Sequence, residues 1–64
     1  MNQLYNLLDQ GIADALNVDV ETYIDIIDSK CTEDEATFII MSILENNEHN
    51  IEKAKQTFNS YLKS

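Results

Sequence analysis

The chain has 64 residues, 44% of them hydrophobic, with one cysteine, one histidine, one glycine and no proline. A lone cysteine excludes an intramolecular disulfide, and one cysteine with one histidine cannot supply the four ligands of a structural zinc site. The hydrophobic content argues against wholesale disorder, but so short a chain has only a small core. We therefore expect residues 1–64 to form one small domain that gains stability from a partner or from a second copy.

The charge is strongly one-sided, with 12 acidic residues, 4 lysines and a net charge of −8 at pH 7. This balance argues against direct binding to nucleic acid or to an anionic membrane, which both need basic patches. It permits binding to a basic surface of another protein. No apolar run approaches the ~18 residues of a membrane span. The N-terminal segment has no basic residue of the kind that opens a secretory signal, and the single thiol fits a cytoplasmic protein.

The first predicted helix covers residues 2–16. Its apolar positions follow helical spacing, with four residues on one line and two flanking it: Leu4, Leu8, Gly11 and Ala15, then Leu7 and Ile12. Gly11 inside a helix costs about 1 kcal/mol relative to alanine. Either another helix approaches closely at Gly11 and Ala15, or Gly11 divides the segment into two short helices. We favour a continuous helix.

Residues 18–29 fit two patterns. Apolar and β-branched residues alternate with acidic ones, which is typical of a strand. Yet Val20, Tyr23, Ile24 and Ile27 share a helical face, and Asp19 is a suitable N-cap. A lone strand would leave its backbone unpaired. We therefore predict a helix, and intermolecular strand pairing remains the alternative.

The third segment, TEDEATFIIMSIL over residues 32–44, has the clearest helix start. Thr32 and Glu35 have the spacing of a capping box, in which each side chain bonds the other residue's backbone N–H. Five residues form a broad apolar face that Met41 widens: Ala36, Ile39, Ile40, Ile43 and Leu44. Phe38 lies instead beside Ser42 and Glu45. It is either packed under another helix or an exposed anchor for a partner.

The last helix begins near Asn47 or Asn50. Its apolar stripe contains Ile51, Ala54, Phe58, Tyr61 and Leu62. Because the connections are short, we expect consecutive helices to pack as neighbours. The predicted fold is all-α, a compact bundle of three to four short helices.

Residues 17–28 resemble the loop of an EF-hand. Five oxygen-bearing residues fall at loop positions 1, 3, 5, 9 and 12: Asn17, Asp19, Glu21, Asp25 and Asp28. The pattern departs from the family at three places, with Asn at position 1, Thr22 where the sharp turn needs glycine, and Asp where a bidentate Glu belongs. We therefore expect an acidic, solvated helix face and no metal or other cofactor.

Residues 20–62 resemble ubiquitin-associated and CUE domains. Three short helices end in NNEHNIEKAKQTFNSYL, and the last follows an Asn-rich turn with an Ile–Ala–Phe–Leu rhythm. The family's glycine-containing loop is replaced here by Asp28-Ser29-Lys30-Cys31, and the first helix of this chain is additional. The resemblance implies a three-helix binding module.

Catalysis finds no support in the residues. Cys31 precedes a helix, where a thiolate is stabilised, but the acidic residues that follow oppose its ionisation. With one glycine there is no Gly-rich phosphate loop. We therefore expect a protein that is not an enzyme.

The favoured hypothesis is a small acidic helical module that binds and modulates another protein, as phage-encoded inhibitors and DNA mimics do. The alternative is a homo-oligomeric structural or assembly protein. Tyr5 and Phe38 are candidate apolar contacts in a salt-insensitive interface. The expected acidic face consists of Asp14, Asp19, Glu21, Asp25, Asp28, Glu33 and Asp34.

Overall fold

The computed structural model describes residues 7–63, which form four helices and contain no strand. They are α1 (Leu7–Ala15), α2 (Val20–Ser29), α3 (Glu33–Glu45) and α4 (Glu48–Leu62). This confirms the prediction of an all-α bundle of short helices. The part of the predicted first helix before Leu7, with Leu4 and Tyr5, lies outside the described residues.

Helix α1 ends in a left-handed turn at Asn17, which has φ 63°. The Asn17 N–H donates to the Asp14 carbonyl at 3.0 Å, and the Val18 N–H donates to the Ala13 carbonyl at 3.1 Å. This pair of bonds is the Schellman arrangement, which satisfies carbonyls left free at a helix end. Asparagine tolerates the left-handed region better than most residues. The turn therefore stops α1 and leads the chain into α2.

Helix α2 resolves the ambiguous segment. Residues 20–29 are helical, so the strand alternative is wrong there, and Tyr23 and Ile26 are the buried residues of the helix. The EF-hand resemblance is also wrong as a structure, since a helix over these residues cannot wrap around an ion. Asp19 occupies the N-cap position as predicted, but its side chain makes no capping hydrogen bond.

The capping box of α3 is confirmed. The Glu35 N–H donates to Thr32 Oγ1 at 3.1 Å, and the Thr32 N–H donates to Glu35 Oε1 at 2.9 Å. Between α3 and α4, Asn46 takes the left-handed conformation with φ 56°. Asn47 is the N-cap of α4 because its side-chain oxygen accepts from the Asn50 N–H at 3.2 Å. Of the two predicted starts for α4, the first is therefore correct.

The helices are arranged so that each contacts two others. The most extensive contact joins α3 to α4, and α1 also packs on α2 and α3, while α2 packs on α4. Although α2 and α3 are consecutive in the chain, they make little contact. The expectation that consecutive helices are neighbours is therefore right for α1–α2 and α3–α4, and wrong for α2–α3.

The core draws on all four helices. The Tyr23 and Phe58 rings stack with centroids 6.3 Å apart and join α2 to α4. Such a ring pair contributes about 0.5–1.5 kcal/mol beyond the area that it buries. The buried apolar residues are Ile12, Ala13, Leu16, Tyr23, Ile26, Ile39, Ala54 and Phe58.

The face that α1 buries differs from the predicted one. Ile12 and Ala13 are its buried residues, whereas Leu8 is 49% exposed and Gly11 is exposed. A Cβ added at Gly11 would meet nothing within 4 Å, so the predicted close approach of another helix at this glycine is wrong. The helix is continuous through Gly11, as predicted, over the described range Leu7–Ala15.

Replacing Gly11 with alanine is therefore expected to stabilise the fold. The new methyl group meets no neighbour, and alanine loses less backbone entropy on entering a helix. We expect Gly11→Ala to raise the free energy of unfolding by about 0.5–1 kcal/mol, measured by urea denaturation. The control is Asn17→Ala, which removes the polar side chain that lets asparagine take positive φ and is therefore expected to lower the free energy of unfolding. A Gly11→Ala protein no more stable than the parent would contradict the open surroundings of this site.

Ser42 is the buried polar residue of the core, with 2% of its surface exposed. Its hydroxyl forms no hydrogen bond with the rest of the described chain, residues 7–63. We expect Ser42→Ala to raise the free energy of unfolding by about 1 kcal/mol, because it removes a desolvated hydroxyl and improves helix propensity. Ser60→Ala is the control, since that hydroxyl is exposed and donates to the Thr57 carbonyl. A loss of stability in Ser42→Ala would show that the hydroxyl has a partner.

Candidate functional site

The carboxylates predicted to form the acidic face all reach solvent. Asp14 lies on α1. The N-cap residue Asp19 and the residues Glu21, Asp25 and Asp28 belong to α2. Glu33 and Asp34 lie in the first turn of α3. The acidic face is thus distributed over three helices, and α2 carries most of it.

Three of these carboxylates line one side of α2. Glu21, Asp25 and Asp28 are spaced by four and three residues, so they are neighbours on the helix surface. Like charges at this spacing destabilise a helix by about 0.2–0.5 kcal/mol per pair. Glu21 lies in the first turn, where the dipole favours a carboxylate, but Asp25 and Asp28 lie beyond that turn and no basic residue occupies the last turn of α2.

A groove of about 300 Å³ lies between α2 and the C-terminal end of α4. It brings together three of the predicted carboxylates with apolar, hydroxyl and ammonium groups. Its lining consists of Asp19, Glu21, Thr22, Asp25, Ile26, Lys30, Tyr61 and Leu62. The other predicted site residues, Asp14, Asp28, Glu33, Asp34 and Phe38, do not line this groove.

Tyr61, Leu62 and Lys30 are site residues that the sequence did not single out. Tyr61 and Leu62 belong to the predicted apolar stripe of α4, yet Leu62 remains 42% exposed. Lys30 is the C-cap residue of α2. The only sequence feature that could have indicated Tyr61 and Leu62 as site residues was the apolar stripe that continues to the end of α4. Which helix would lie beside that end depends on the packing.

A side-chain hydrogen bond positions Tyr61 in the groove. The Tyr61 hydroxyl donates to Glu35 Oε1 at 2.5 Å. The same oxygen accepts the capping bond from the Thr32 N–H. One carboxylate therefore both caps the start of α3 and holds the last turn of α4.

This contact changes the acidity of both groups. The hydrogen bond from Tyr61 is the main cause that lowers the pKa of the Glu35 carboxyl, and the Thr32 N–H adds to it. The same bond is the main cause that raises the pKa of Tyr61 to about 12. Burial raises the pKa of the nearby Cys31 thiol, and Glu35 adds to that shift. The direction for Cys31 is the one predicted from its acidic neighbours, although burial is the larger cause.

Phe38 is expected either to pack under another helix or to be an exposed anchor, and it lies at the surface with 37% of its area exposed. Met41 and Leu44, on the same helix, are 45% and 48% exposed. The broad face predicted for α3 is therefore only partly covered, since Ile39 is buried but Met41 and Leu44 are exposed. Ser42, which the sequence places beside Phe38 and off that face, is buried as well.

Within residues 7–63, no group of three or more His, Cys, Asp or Glu side chains could hold a metal ion. None of the helices in this range has both the length and the apolar character needed to cross a membrane.

Comparisons with protein-family models, with curated proteins and with solved structures find no match for this chain. The resemblance of residues 20–62 to ubiquitin-associated and CUE domains therefore remains a similarity in the order of helices. Helices α2, α3 and α4 occupy its three segments, and α1 is the additional helix.

The Glu35–Tyr61 contact predicts how stability depends on pH. The pKa of Glu35 is lowered in the folded protein, so its contribution is present above its unfolded-state pKa and is lost as pH falls through the folded-state pKa. The pKa of Tyr61 is raised, so its contribution is present below 10 and is lost as pH rises through about 12.

We expect Tyr61→Phe to raise the pKa of Glu35 toward its ordinary value, because the main cause of the shift is removed. Carboxyl carbon NMR measures this pKa directly, and urea denaturation across pH measures the matching loss of stability. Tyr23→Phe is the control, since the Tyr23 ring lies in the core and is not a cause of the Glu35 shift. An unchanged Glu35 pKa in Tyr61→Phe would show that the contact does not persist in solution.

Proposed function

We propose that this chain is a small acidic, non-enzymatic interaction module that binds a basic surface of another protein and modulates that protein. The observation that supports the proposal is the groove between α2 and α4. It combines the carboxylates of Asp19, Glu21 and Asp25 with the side chains of Tyr61 and Leu62.

The lining of the groove suits a lysine or arginine side chain from a partner. Such side chains have an apolar stem and a charged end, and they bury the stem while the charge meets carboxylates. Tyr61 and Leu62 supply the apolar contact, and an arginine can also stack on the tyrosine ring. Glu35 holds the Tyr61 hydroxyl, so the ring is positioned before a partner arrives.

Electrostatics supports the same class of partner. The net charge of −8 speeds encounter with a basic surface and makes the association sensitive to salt. Lys30 is the cation that lines the groove, and three carboxylates accompany it. A module of this kind could occupy a nucleic-acid-binding groove on its target, in the manner of an inhibitor or DNA mimic. That comparison is made at the level of a protein class.

A second candidate function is assembly of the chain with itself. The exposed side chains of Phe38, Met41 and Leu44 support it, because a small core can be completed by another copy. The like charge of the copies opposes it. The binding experiment below distinguishes the two functions.

The experiment begins by capturing the partner with the tagged protein from lysate of its source at about 50 and about 200 mM salt, since screening weakens exposed charge pairs. Affinity for the purified partner is then measured for the groove variant Asp19→Asn/Glu21→Gln/Asp25→Asn. We expect a loss of at least about tenfold, equal to about 1.4 kcal/mol.

The control variant is Asp14→Asn/Glu48→Gln/Glu52→Gln, which removes the same number of charges at exposed positions outside the groove. We expect it to retain affinity within about threefold, because exposed charges outside the contact act only through screened fields. Equal losses in the two variants would reject the groove as the binding site. A salt-independent complex would reject the electrostatic mechanism, and recovery of the protein alone would favour self-assembly.

A further inference from the structure

A second exposed surface runs along α3 and shares no residue with the lining of the groove. Asp34, Phe38, Met41 and Glu45 are spaced by four, three and four residues, so they form one line on the helix. Leu44 lies beside Met41, three residues further on. We call these five residues the α3 stripe. All five are exposed.

The order of chemistry along the α3 stripe is acidic, apolar and acidic. Glu45 lies eleven positions after Asp34, so their Cα atoms lie about 16 Å apart along the helix at 1.5 Å per residue. The apolar centre consists of Phe38, Met41 and Leu44, which are 37%, 45% and 48% exposed. A partner that covers this centre therefore meets a carboxylate at each end.

Glu45 is not explained by the stability of α3. It lies in the last turn of the helix, where the dipole disfavours negative charge, and no basic residue accompanies it in that turn. Asp34 differs, since it lies in the first turn, where the dipole favours a carboxylate. The Glu45 charge at the C-terminal end of the stripe therefore destabilises α3.

We propose that the α3 stripe docks an amphipathic helix of a partner protein. The apolar residues of that helix cover Phe38, Met41 and Leu44. Its lysine or arginine residues, about three turns apart, pair with Asp34 and Glu45. This surface includes no residue that lines the groove, so it is a separate binding site.

The shape of the stripe favours a helix as the occupant. The stripe is a narrow line along one helix, and a second helix can lie on such a line with its own residues at positions i, i+3, i+4 and i+7. Met41 has a flexible side chain that adapts to different apolar partners. Phe38 supplies an aromatic anchor of the type that dominates binding energy at interfaces.

Charge disfavours a second copy of this chain that packs its own α3 on the α3 stripe. If two α3 helices packed antiparallel, Asp34 of each would face Glu45 of the other. If they packed parallel, each carboxylate would face its own equivalent. Helix α3 contains no basic residue that could relieve either contact. The same carboxylates favour a partner helix with basic residues at both ends of its apolar stripe.

The test uses a synthetic helical peptide of about 18 residues, with leucines at helical spacing and a lysine at each end of the leucine stripe, about eleven positions apart. One control peptide has the same composition in scrambled order, and another has glutamate in place of both lysines. Affinity is measured by calorimetry at about 50 mM salt, where charge pairs are weakly screened. We expect the designed peptide to bind and both control peptides to bind at least about tenfold more weakly.

Variants of the chain locate the site. Phe38→Ala and Met41→Ala are each expected to weaken binding by about tenfold or more, whereas Leu7→Ala, another exposed apolar residue, leaves it unchanged. Glu45→Gln is expected to weaken binding about threefold without destabilising α3, because it relieves an unfavourable helix-end charge. Its matched control is Glu52→Gln, an exposed carboxylate on α4 that is expected to have no effect.

The outcomes separate this proposal from the groove. Peptide binding that survives Phe38→Ala, or equal binding of the scrambled peptide, overturns the α3 stripe and leaves the groove untouched. Peptide affinity that is retained within about threefold in Asp19→Asn/Glu21→Gln/Asp25→Asn supports a separate site, since charges outside the contact act on it only through screened fields. A dimer of the chain alone that Phe38→Ala dissociates would identify a second copy as the occupant and overturn the proposal.

Discussion

The Glu35 carboxylate is the interaction on which the local geometry of the proposed site depends. One of its oxygens accepts the Thr32 N–H and the Tyr61 hydroxyl. The first bond sets where α3 begins, and the second holds the last turn of α4 against that beginning. Since Tyr61 lines the groove beside α2, a helix cap is linked through one side chain to the position of a surface aromatic. The capping box of α3 therefore also contributes to the contact between α3 and α4.

The small size of the core sets the second constraint. Four short helices cannot enclose every apolar side chain of a chain this length, because surface is large relative to volume. The described core closes around Tyr23 and Phe58, while Phe38, Met41 and Leu44 remain partly in water. The acidic residues keep such a surface soluble. In the proposed function the same charges also favour basic partners.

Local patterns predicted the helices well where the signal involved neighbouring residues. The capping box of Thr32 and Glu35 is observed where the sequence places it, and Asn47, one of the two starts predicted for α4, is its N-cap. Helical spacing correctly outweighed the alternating pattern in α2. The prediction that another helix approaches closely at Gly11 was wrong, because a glycine permits close approach of a helix but does not require it. Neither the groove nor its residues Lys30, Tyr61 and Leu62 could be derived, since they meet through packing between α2 and α4.

The sequence by itself determined the helical class, the starts of α2 and α3 and the acidic character of the surface. These properties follow from hydrogen bonds and spacings within a few residues, and from the counted charges. The tertiary structure alone decided that α2 packs on α4 and makes little contact with α3. It also decided that Tyr61 reaches Glu35 and that Phe38 stays exposed. The physical reason is that an amphipathic pattern shows which face of a helix is buried. Which other helix covers that face depends on how all four helices pack together.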